Sequence, residues 1–281
     1  MKTVLDCIET GTGYLEKRGI EDARRDMQLL MAHQLGCSRT ELYMNFDRPV
    51  SEDELVPLRE LLKKRGLGTP LQHLLGTVEF GGREFRTDGR ALIPRPETEE
   101  LAELVPTMSF PRPARLLDMG TGSGVLGLTI AAALGEDCRE AVLVDRSGAA
   151  LELAAENARS LDLAATFLQS DLFQGVDGSF DVIVANLPYV PEGERASLSR
   201  EVLNDPAEAL FAGADGLDLI RRFIPQAAGR LVDGGLLAME FGAGQGEALL
   251  AMMTEAELPH PRIRSDLSGI ERFAIAGRPP A

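Results

Sequence analysis

The sequence feature that most constrains the fold is a regular alternation of short apolar segments with helical segments after about residue 96. Residues 115–119 and 141–145 are apolar, and each is followed by a segment of helical composition. Four further strands are predicted, at residues 166–169, 181–185, 235–240 and 272–276. This alternation indicates an α/β domain with a mostly parallel sheet covered on both faces. Ligands of such sheets bind at the carboxyl ends of the strands, so functional residues are expected there.

The first 75 residues have a different pattern, which predicts a small helical domain. Apolar residues recur at helical spacing, and Ser51 before three acidic residues is typical of a helix N-terminus. Alternating residues around Gly81-Gly82 then predict a β-hairpin. We therefore divide the chain into a helical substrate-recognition domain (1–75), a β-hairpin linker (76–95) and an α/β domain that carries the chemistry (96–281).

Charge and composition exclude several classes of protein. The net charge is −15, and residues 1–75 contain 11 Lys and Arg against 12 Asp and Glu, so nearly all the acidity lies in the remainder. Because binding to phosphate backbones needs a clustered basic face, a nucleic-acid substrate is disfavoured. The three cysteines and three histidines lack the spacing of a disulfide framework or a metal site. With no apolar run of membrane-spanning length, we expect a cytoplasmic protein with no membrane association. We also expect a monomer, and the spacing of the cysteines and histidines predicts no metal site.

A glycine-rich loop after the first predicted strand is the candidate cofactor site; it consists of Gly120-Thr121-Gly122-Ser123-Gly124. Such loops let a ligand approach the backbone closely, but this one also fits the dinucleotide-binding pattern. Asp118, two residues before the loop, favours a cofactor with a cationic amino group over a dinucleotide. Asp145 ends the second strand, where it can accept hydrogen bonds from both ribose hydroxyls in either cofactor class.

The end of the third predicted strand adds two candidates for cofactor binding. Asp171 could accept a hydrogen bond from the adenine amine, with Leu172 against the ring. The alternative for Asp171 is a helix N-cap. We favour the cofactor role, because three strand ends that are each followed by an acid would form one pocket.

The candidate catalytic loop follows the fourth predicted strand and consists of Asn186-Leu187-Pro188-Tyr189. An amide or aromatic amine is a poor nucleophile because its nitrogen lone pair is delocalised. Two acceptors on its N–H bonds would orient it, and the Asn186 side-chain oxygen and the Leu187 carbonyl can supply both. Pro188 stiffens the turn, and Tyr189 can pack against a planar target. This pattern predicts transfer to a planar nitrogen by positioning, although Asn and Pro also occur in simple turns.

These motifs together resemble class I methyltransferases that modify planar nitrogen groups. Within that class, the segment Ile93-Pro94-Arg95-Pro96-Glu97-Thr98-Glu99 resembles the signature of the release-factor glutamine methyltransferases, the HemK/PrmC family. Similar segments lie at residues 70–80, 209–218, 240–246 and 266–272, so the resemblance covers nearly the whole chain.

The resemblance implies a Rossmann-like, seven-stranded class I methyltransferase domain with a small N-terminal helical domain and a connecting β-hairpin. It implies the cofactor S-adenosylmethionine and methylation of the glutamine in the Gly-Gly-Gln motif of peptide-chain release factors. By position, the cofactor would contact residues 120–124, Asp145, Leu172 and Asn186. The target glutamine would lie against residues 186–189, with Arg95 and Glu97 near the pocket.

Two departures from the family pattern keep alternatives open. The family usually has Asn-Pro-Pro-Tyr, whereas Leu187 stands in place of the first proline, and position 172 is often aromatic in relatives. Asn-Leu-Pro-Tyr also resembles ribosomal RNA adenine dimethylases, although those enzymes lack the Arg95–Glu99 segment and are usually basic. The alternatives are a glutamine methyltransferase of a large-subunit ribosomal protein, an adenine-N6 nucleic-acid methyltransferase, and a non-catalytic nucleotide-binding protein.

Overall fold

A computed structural model describes residues 2–277 and contains two compact units. Among these residues, the helical unit comprises residues 2–77 and Ser199–Asn204, and the sheet unit comprises Val78–Leu198 and residues 205–277. The sequence pattern predicted contiguous domains, whereas the structure groups six residues from the middle of the chain with the N-terminal helices. They follow the candidate catalytic loop and contain no apolar periodicity that would have marked them.

The helical unit is built from five helices: α1 (Val4–Glu16), α2 (Ala23–Leu35), α3 (Arg39–Met44), α4 (Glu52–Gly66) and α5 (Leu71–Leu75). The predicted start of α4 is confirmed, because the Ser51 hydroxyl accepts a hydrogen bond from the Glu54 N–H and the Glu54 carboxylate accepts one from the Ser51 N–H. The apolar faces of the helices bury Ile8, Leu15 and Leu30 completely. Burial of these faces is the main stabilising contribution in a unit of this size.

The sheet unit begins with the predicted hairpin, β1 (Thr77–Phe80) and β2 (Arg83–Arg86). The hairpin packs as part of this unit: Phe80 and Phe85 are buried edge-to-face in its core. The Asn157 side chain bonds both backbone groups of Arg86, at 2.7 and 3.1 Å. Elements that follow are α6 (Pro96–Leu104), β3 (Ala114–Met119), α7 (Val125–Leu134), β4 (Cys138–Asp145), α8 (Gly148–Ser160), β5 (Thr166–Gln169), β6 (Phe180–Asn186), α9 (Asp218–Ala228), β7 (Leu231–Glu240), α10 (Gly246–Glu255), β8 (Arg262–Ser265) and β9 (Glu271–Ala276).

Seven of these strands form one sheet in the order β5-β4-β3-β6-β7-β9-β8. The pairs from β5 to β7 are parallel, and β9 is antiparallel to both of its neighbours. Successive residues of β3 point to opposite faces, so Leu116 joins the core on one side and Leu117 the core on the other. The predicted fold class and six predicted strands are confirmed, and β8 is an additional edge strand.

The topology places the functional loops at one edge of the sheet. Chain order reverses between β3 and β6, and the loops after these two strands leave from their adjacent carboxyl ends. A ligand crevice is expected at such a switch point. Within residues 2–277, no helix has the length and apolarity needed to cross a bilayer.

Candidate active site

A cavity of about 300 Å³ opens at the switch point between β3 and β6. Twelve of the fifteen residues predicted for the site line it: Arg95, Asp118, Gly120, Thr121, Gly122, Ser123, Asp145, Asp171, Leu172, Asn186, Leu187 and Pro188. Gly124, Glu97 and Tyr189 do not line it. Gly124 instead caps the start of α7 with a left-handed backbone conformation. The structure therefore brings both predicted loops to a single cavity, although Asp118 and Asn186 are 68 residues apart in the sequence.

The glycine-rich loop is held tightly against the sheet. The N–H groups of Gly120 and Thr121 both donate to the Val144 carbonyl, at 2.8 and 2.9 Å. A Cβ at Gly120, where φ is +72°, would lie 2.8 Å from Cδ2 of Leu187. Glycine is favoured here because φ is positive, and any side chain would also force the Leu187 side chain to shift.

Asp118 is buried beneath this loop and is only partly satisfied. Its Oδ2 accepts hydrogen bonds from the Thr121 hydroxyl at 2.5 Å and the Gly127 N–H at 3.0 Å. Its Oδ1, like the Ser123 hydroxyl, is buried without a hydrogen-bond partner among the described residues. An unpartnered carboxylate oxygen fits a cationic amino group, so these residues fit a cofactor that carries one.

Asp118 should make cofactor affinity depend on pH. Burial raises the pKa of Asp118 to about 6, so the carboxyl is mostly protonated at pH 5 and mostly ionised at pH 7. Because only the ionised form attracts a cationic amino group, the Kd for S-adenosylmethionine should rise roughly tenfold between pH 7 and pH 5. Isothermal titration calorimetry across this range measures the change.

D118N should bind the cofactor roughly 10- to 100-fold more weakly at pH 7 and lose this pH dependence. The variant to compare with D118N is D145N, which removes a second carboxylate of the cavity whose pKa is also raised by burial. If the Kd of D118N kept the same pH dependence, that dependence would belong to another group.

Asp145 is fixed at the end of β4 by two backbone donors. Its Oδ2 accepts a hydrogen bond from the Gly122 N–H at 2.9 Å, and its Oδ1 accepts one from the Ser147 N–H at 2.9 Å. Carboxylate oxygens have further lone pairs for a ligand. Asp145 can thus hold the glycine-rich loop and accept hydroxyl groups at the same time.

The third strand end contributes a more exposed wall. The Asp171 carboxylate pairs with Arg222 at 2.7 Å, and both residues line the cavity. Leu172 is buried and has a φ of +52°, which a side chain adopts at a cost of strain. Binding of adenine by Asp171 and Leu172 stays a prediction. The ion pair with Arg222 uses one Asp171 oxygen and leaves the other able to accept a hydrogen bond.

Asn186 ends β6 with its amide held from one side. Its Nδ2 donates to the Thr98 hydroxyl at 2.9 Å and to Glu240 Oε2 at 3.1 Å. The Thr98 hydroxyl donates to the same Glu240 oxygen at 2.6 Å. Among residues 2–277, neither the Asn186 Oδ1 nor the Leu187 carbonyl accepts a hydrogen bond. Both residues line the cavity, and neither predicted acceptor is used by a donor of the described residues.

Tyr189 is the last residue of this loop, and residues of two neighbouring segments contact it. Its hydroxyl donates to Glu240 Oε1 at 3.0 Å, and its carbonyl accepts a hydrogen bond from the Gln245 amide at 3.0 Å. A Cβ at Gly216, where φ is +77°, would overlap the same carbonyl oxygen. Contact of Tyr189 with a planar target stays a prediction.

The predicted roles of Arg95 and Glu97 also stay predictions. The Arg95 guanidinium lines the cavity but pairs with the buried Asp205 at 2.5 Å, and Asp205 also accepts a hydrogen bond from the Ile93 N–H. Within the same segment, Thr98 is the residue that contacts Asn186.

Sequence reasoning missed Thr98 and Glu240 as parts of the site. Glu240 is almost completely buried; burial raises its pKa, and hydrogen bonds from Thr98 and Tyr189 oppose that rise. Glu240 ends β7 at the carboxyl edge of the sheet, which is the signal that could have identified it.

Two family models match the chain. The PrmC N-terminal domain matches residues 6–76, and the methyltransferase small domain matches residues 101–215. The first match corresponds to most of the helical unit, and the second includes both loops of the cavity.

Curated relatives match the chain over nearly its whole length. The release factor glutamine methyltransferase of Deinococcus radiodurans is 38% identical over 97% of this chain and 98% of its own length. That of Geobacter sulfurreducens is 36% identical over 98% of this chain and 96% of its own length. The 16S ribosomal RNA methyltransferase RsmC of T. thermophilus, solved with AdoMet and guanosine, is 20% identical over 72% of this chain and 49% of its own, with a TM-score of 0.52. At this identity, RsmC supports the fold alone.

The sheet order, the glycine-rich loop after β3 and the acids at the neighbouring strand ends define a class I methyltransferase that uses S-adenosylmethionine. Together with the matches over both units, they place the protein more narrowly. The chain belongs to the release factor glutamine methyltransferase family.

Proposed function

We propose that this protein transfers a methyl group from S-adenosylmethionine to the side-chain amide nitrogen of the glutamine in the Gly-Gly-Gln motif of peptide-chain release factors. The observation that carries the proposal is the arrangement at Asn186. Its Nδ2 is held by Thr98 and Glu240, which leaves its Oδ1 without a donor, and both Asn186 and Leu187 line the cavity. Similarity to relatives named release factor glutamine methyltransferase supports the choice of substrate.

The residues of the cavity divide into those that hold the cofactor and those that hold the target. S-adenosylmethionine, when bound, supplies an electrophilic methyl group on a sulfonium sulfur. Asp118 would hold the cationic amino group through Oδ1, and Asp145 would accept the ribose hydroxyls. Asp171 and Leu172 would contact the adenine.

Asn186 and Leu187 would orient the target amide. The Asn186 Oδ1 and the Leu187 carbonyl would each accept one of the two N–H bonds, which fixes the plane of the amide. Transfer would form a nitrogen–carbon bond as the sulfur–methyl bond breaks and leaves a neutral thioether, and the target nitrogen would lose one N–H proton to water. Because these groups hold the reactants together and are not strong bases, positioning supplies most of the acceleration.

The helical unit is the proposed docking region for the release factor. It is nearly neutral, whereas the rest of the chain carries almost all the acidity. Since the proposed substrate is a translation factor, we place the reaction in the cytoplasm. We also propose that the protein acts as a monomer, which light scattering of the purified protein would test.

Intact-mass spectrometry of a class-1 release factor incubated with the protein and S-adenosylmethionine tests the proposal. We expect a gain of one methyl group, mapped to the Gly-Gly-Gln glutamine, and no gain when that glutamine is replaced by alanine. Methylation that persists after this replacement would contradict the proposed substrate. Transfer to a ribosomal protein or to bulk nucleic acid instead would support the corresponding one of the two catalytic alternatives.

A further inference from the structure

Three donors converge on the buried carboxylate of Glu240. The Thr98 and Asn186 donors share Oε2, and the Tyr189 hydroxyl donates to Oε1. Glu240 does not line the cavity and is 1% exposed, so it is not a ligand of the substrate or cofactor. Two of its three partners, Asn186 and Tyr189, belong to the catalytic loop, and the third, Thr98, lies on α6.

The directions of these hydrogen bonds fix one orientation of the Asn186 amide. The single Thr98 hydroxyl proton is used toward Glu240, so Thr98 can only accept from Asn186. Glu240 Oε2 also accepts. Both neighbours of that end of the Asn186 side chain are therefore acceptors, and a flipped amide would place Oδ1 against two oxygens. Such a flip leaves buried polar atoms unpaired and is strongly disfavoured.

We infer that Glu240 and Thr98 are positioning residues that lock the Asn186 amide with Oδ1 directed at the target nitrogen. Without them the amide could turn and present N–H donors to an amide nitrogen that itself carries two N–H donors, which is a repulsive arrangement. This assignment gives a physical role to Thr98 of the Arg95–Glu99 segment and to the strand end at Glu240, 142 residues apart. Only the expected effects of Glu240 and Thr98 on methyl transfer rest on the proposed function.

The orientation can be measured without any substrate. In ¹⁵N-labelled protein, the Asn186 side-chain amide resonances are identified as the pair lost in N186A. We expect their protons to exchange slowly with solvent in the wild type and markedly faster in E240L and T98V. Equal exchange in the wild type and both variants would overturn the inference, whatever the substrate proves to be.

The kinetic test uses methyl transfer to a release factor. E240L and T98V should lower kcat by roughly 10- to 100-fold, with little change in KM for S-adenosylmethionine. E240Q retains an acceptor oxygen toward Thr98 and Asn186, so it should keep much more activity than E240L. Glu103→Gln, an exposed change on α6, is the matched control and should leave kcat unchanged. Equal losses in E240Q and E240L would contradict the inference.

A compensating pair separates positioning from general support of the fold. N186D puts an acceptor beside Glu240 in place of the Nδ2 donor, so two acceptors would face each other and activity should fall. Adding E240Q restores a donor between the two positions, so the activity of N186D/E240Q should be roughly tenfold higher than that of N186D. A Glu240 that only stabilises the fold would give no recovery. If wild-type protein methylates no release factor, the proposed function fails, and the exchange measurement still decides this inference.

Discussion

Replacing Asn186 with alanine should lower kcat for methyl transfer to a release factor by roughly 10²- to 10³-fold. The change removes the Oδ1 acceptor at the cavity and leaves the Leu187 carbonyl as the only proposed acceptor for the target amide. A target held by one hydrogen bond can rotate out of the reactive plane, so the loss appears in the chemical step. Single-turnover transfer of a labelled methyl group measures it.

The affinity for S-adenosylmethionine should change less than kcat in N186A, because Asp118 and Asp145 are expected to provide the main polar contacts to the cofactor. Gln226→Ala, which removes an exposed amide on α9, is the control and should leave kcat unchanged. If N186A kept kcat within about threefold, the two-acceptor mechanism would be wrong even for an active methyltransferase.

Replacing Arg65 with methionine should lower the free energy of unfolding by about 3–5 kcal/mol. The Arg65 side chain is 4% exposed, and its Nε donates to Asp26 Oδ2 at 2.6 Å. It also donates to Glu201 Oε1 at 2.5 Å and to the Thr69 carbonyl at 3.2 Å. Removal of the guanidinium leaves the Asp26 carboxylate buried without its cation. Urea unfolding followed by circular dichroism measures the change.

The double variant D26L/R65M identifies the cause of this loss. Removal of both charges takes away the unpaired carboxylate, so the double variant should be more stable than R65M alone. Arg24→Met, on the exposed face of α2, is the control and should shift the free energy of unfolding by no more than about 0.5 kcal/mol. A double variant less stable than R65M would show that packing of the long side chains, rather than charge, dominates.

Much of the fold could be predicted because its signals are local. Apolar strands that end in acids or glycines, such as β3 and β4, are visible in the sequence without any knowledge of their neighbours. The edge strand β8 was missed because three of the four residues of Arg262–Ser265 are polar and the strand pairs on one side only. A short polar edge strand has no periodic core signal.

The candidate site was predictable only in part, since its residues depend on different kinds of signal. Asp118, Asp145 and Asn186 each follow from the end of a strand and from the chemistry of the residue. The bonds between Thr98 and Glu240 join α6 to β7, so no local pattern could indicate them. Likewise, the pairing of Arg95 with Asp205 became visible only when the fold brought them together.

The discontinuous helical unit has a consequence for synthesis on the ribosome. Arg65 lies in the first part of the unit, and its partner Glu201 lies 136 residues later in the chain. At about 5–20 residues per second, roughly 7–27 s separate their translation. During that interval the emerging helices can pair Arg65 with Asp26 alone. The helical unit therefore completes the ion pairs of Arg65 only after most of the parallel sheet has been synthesised.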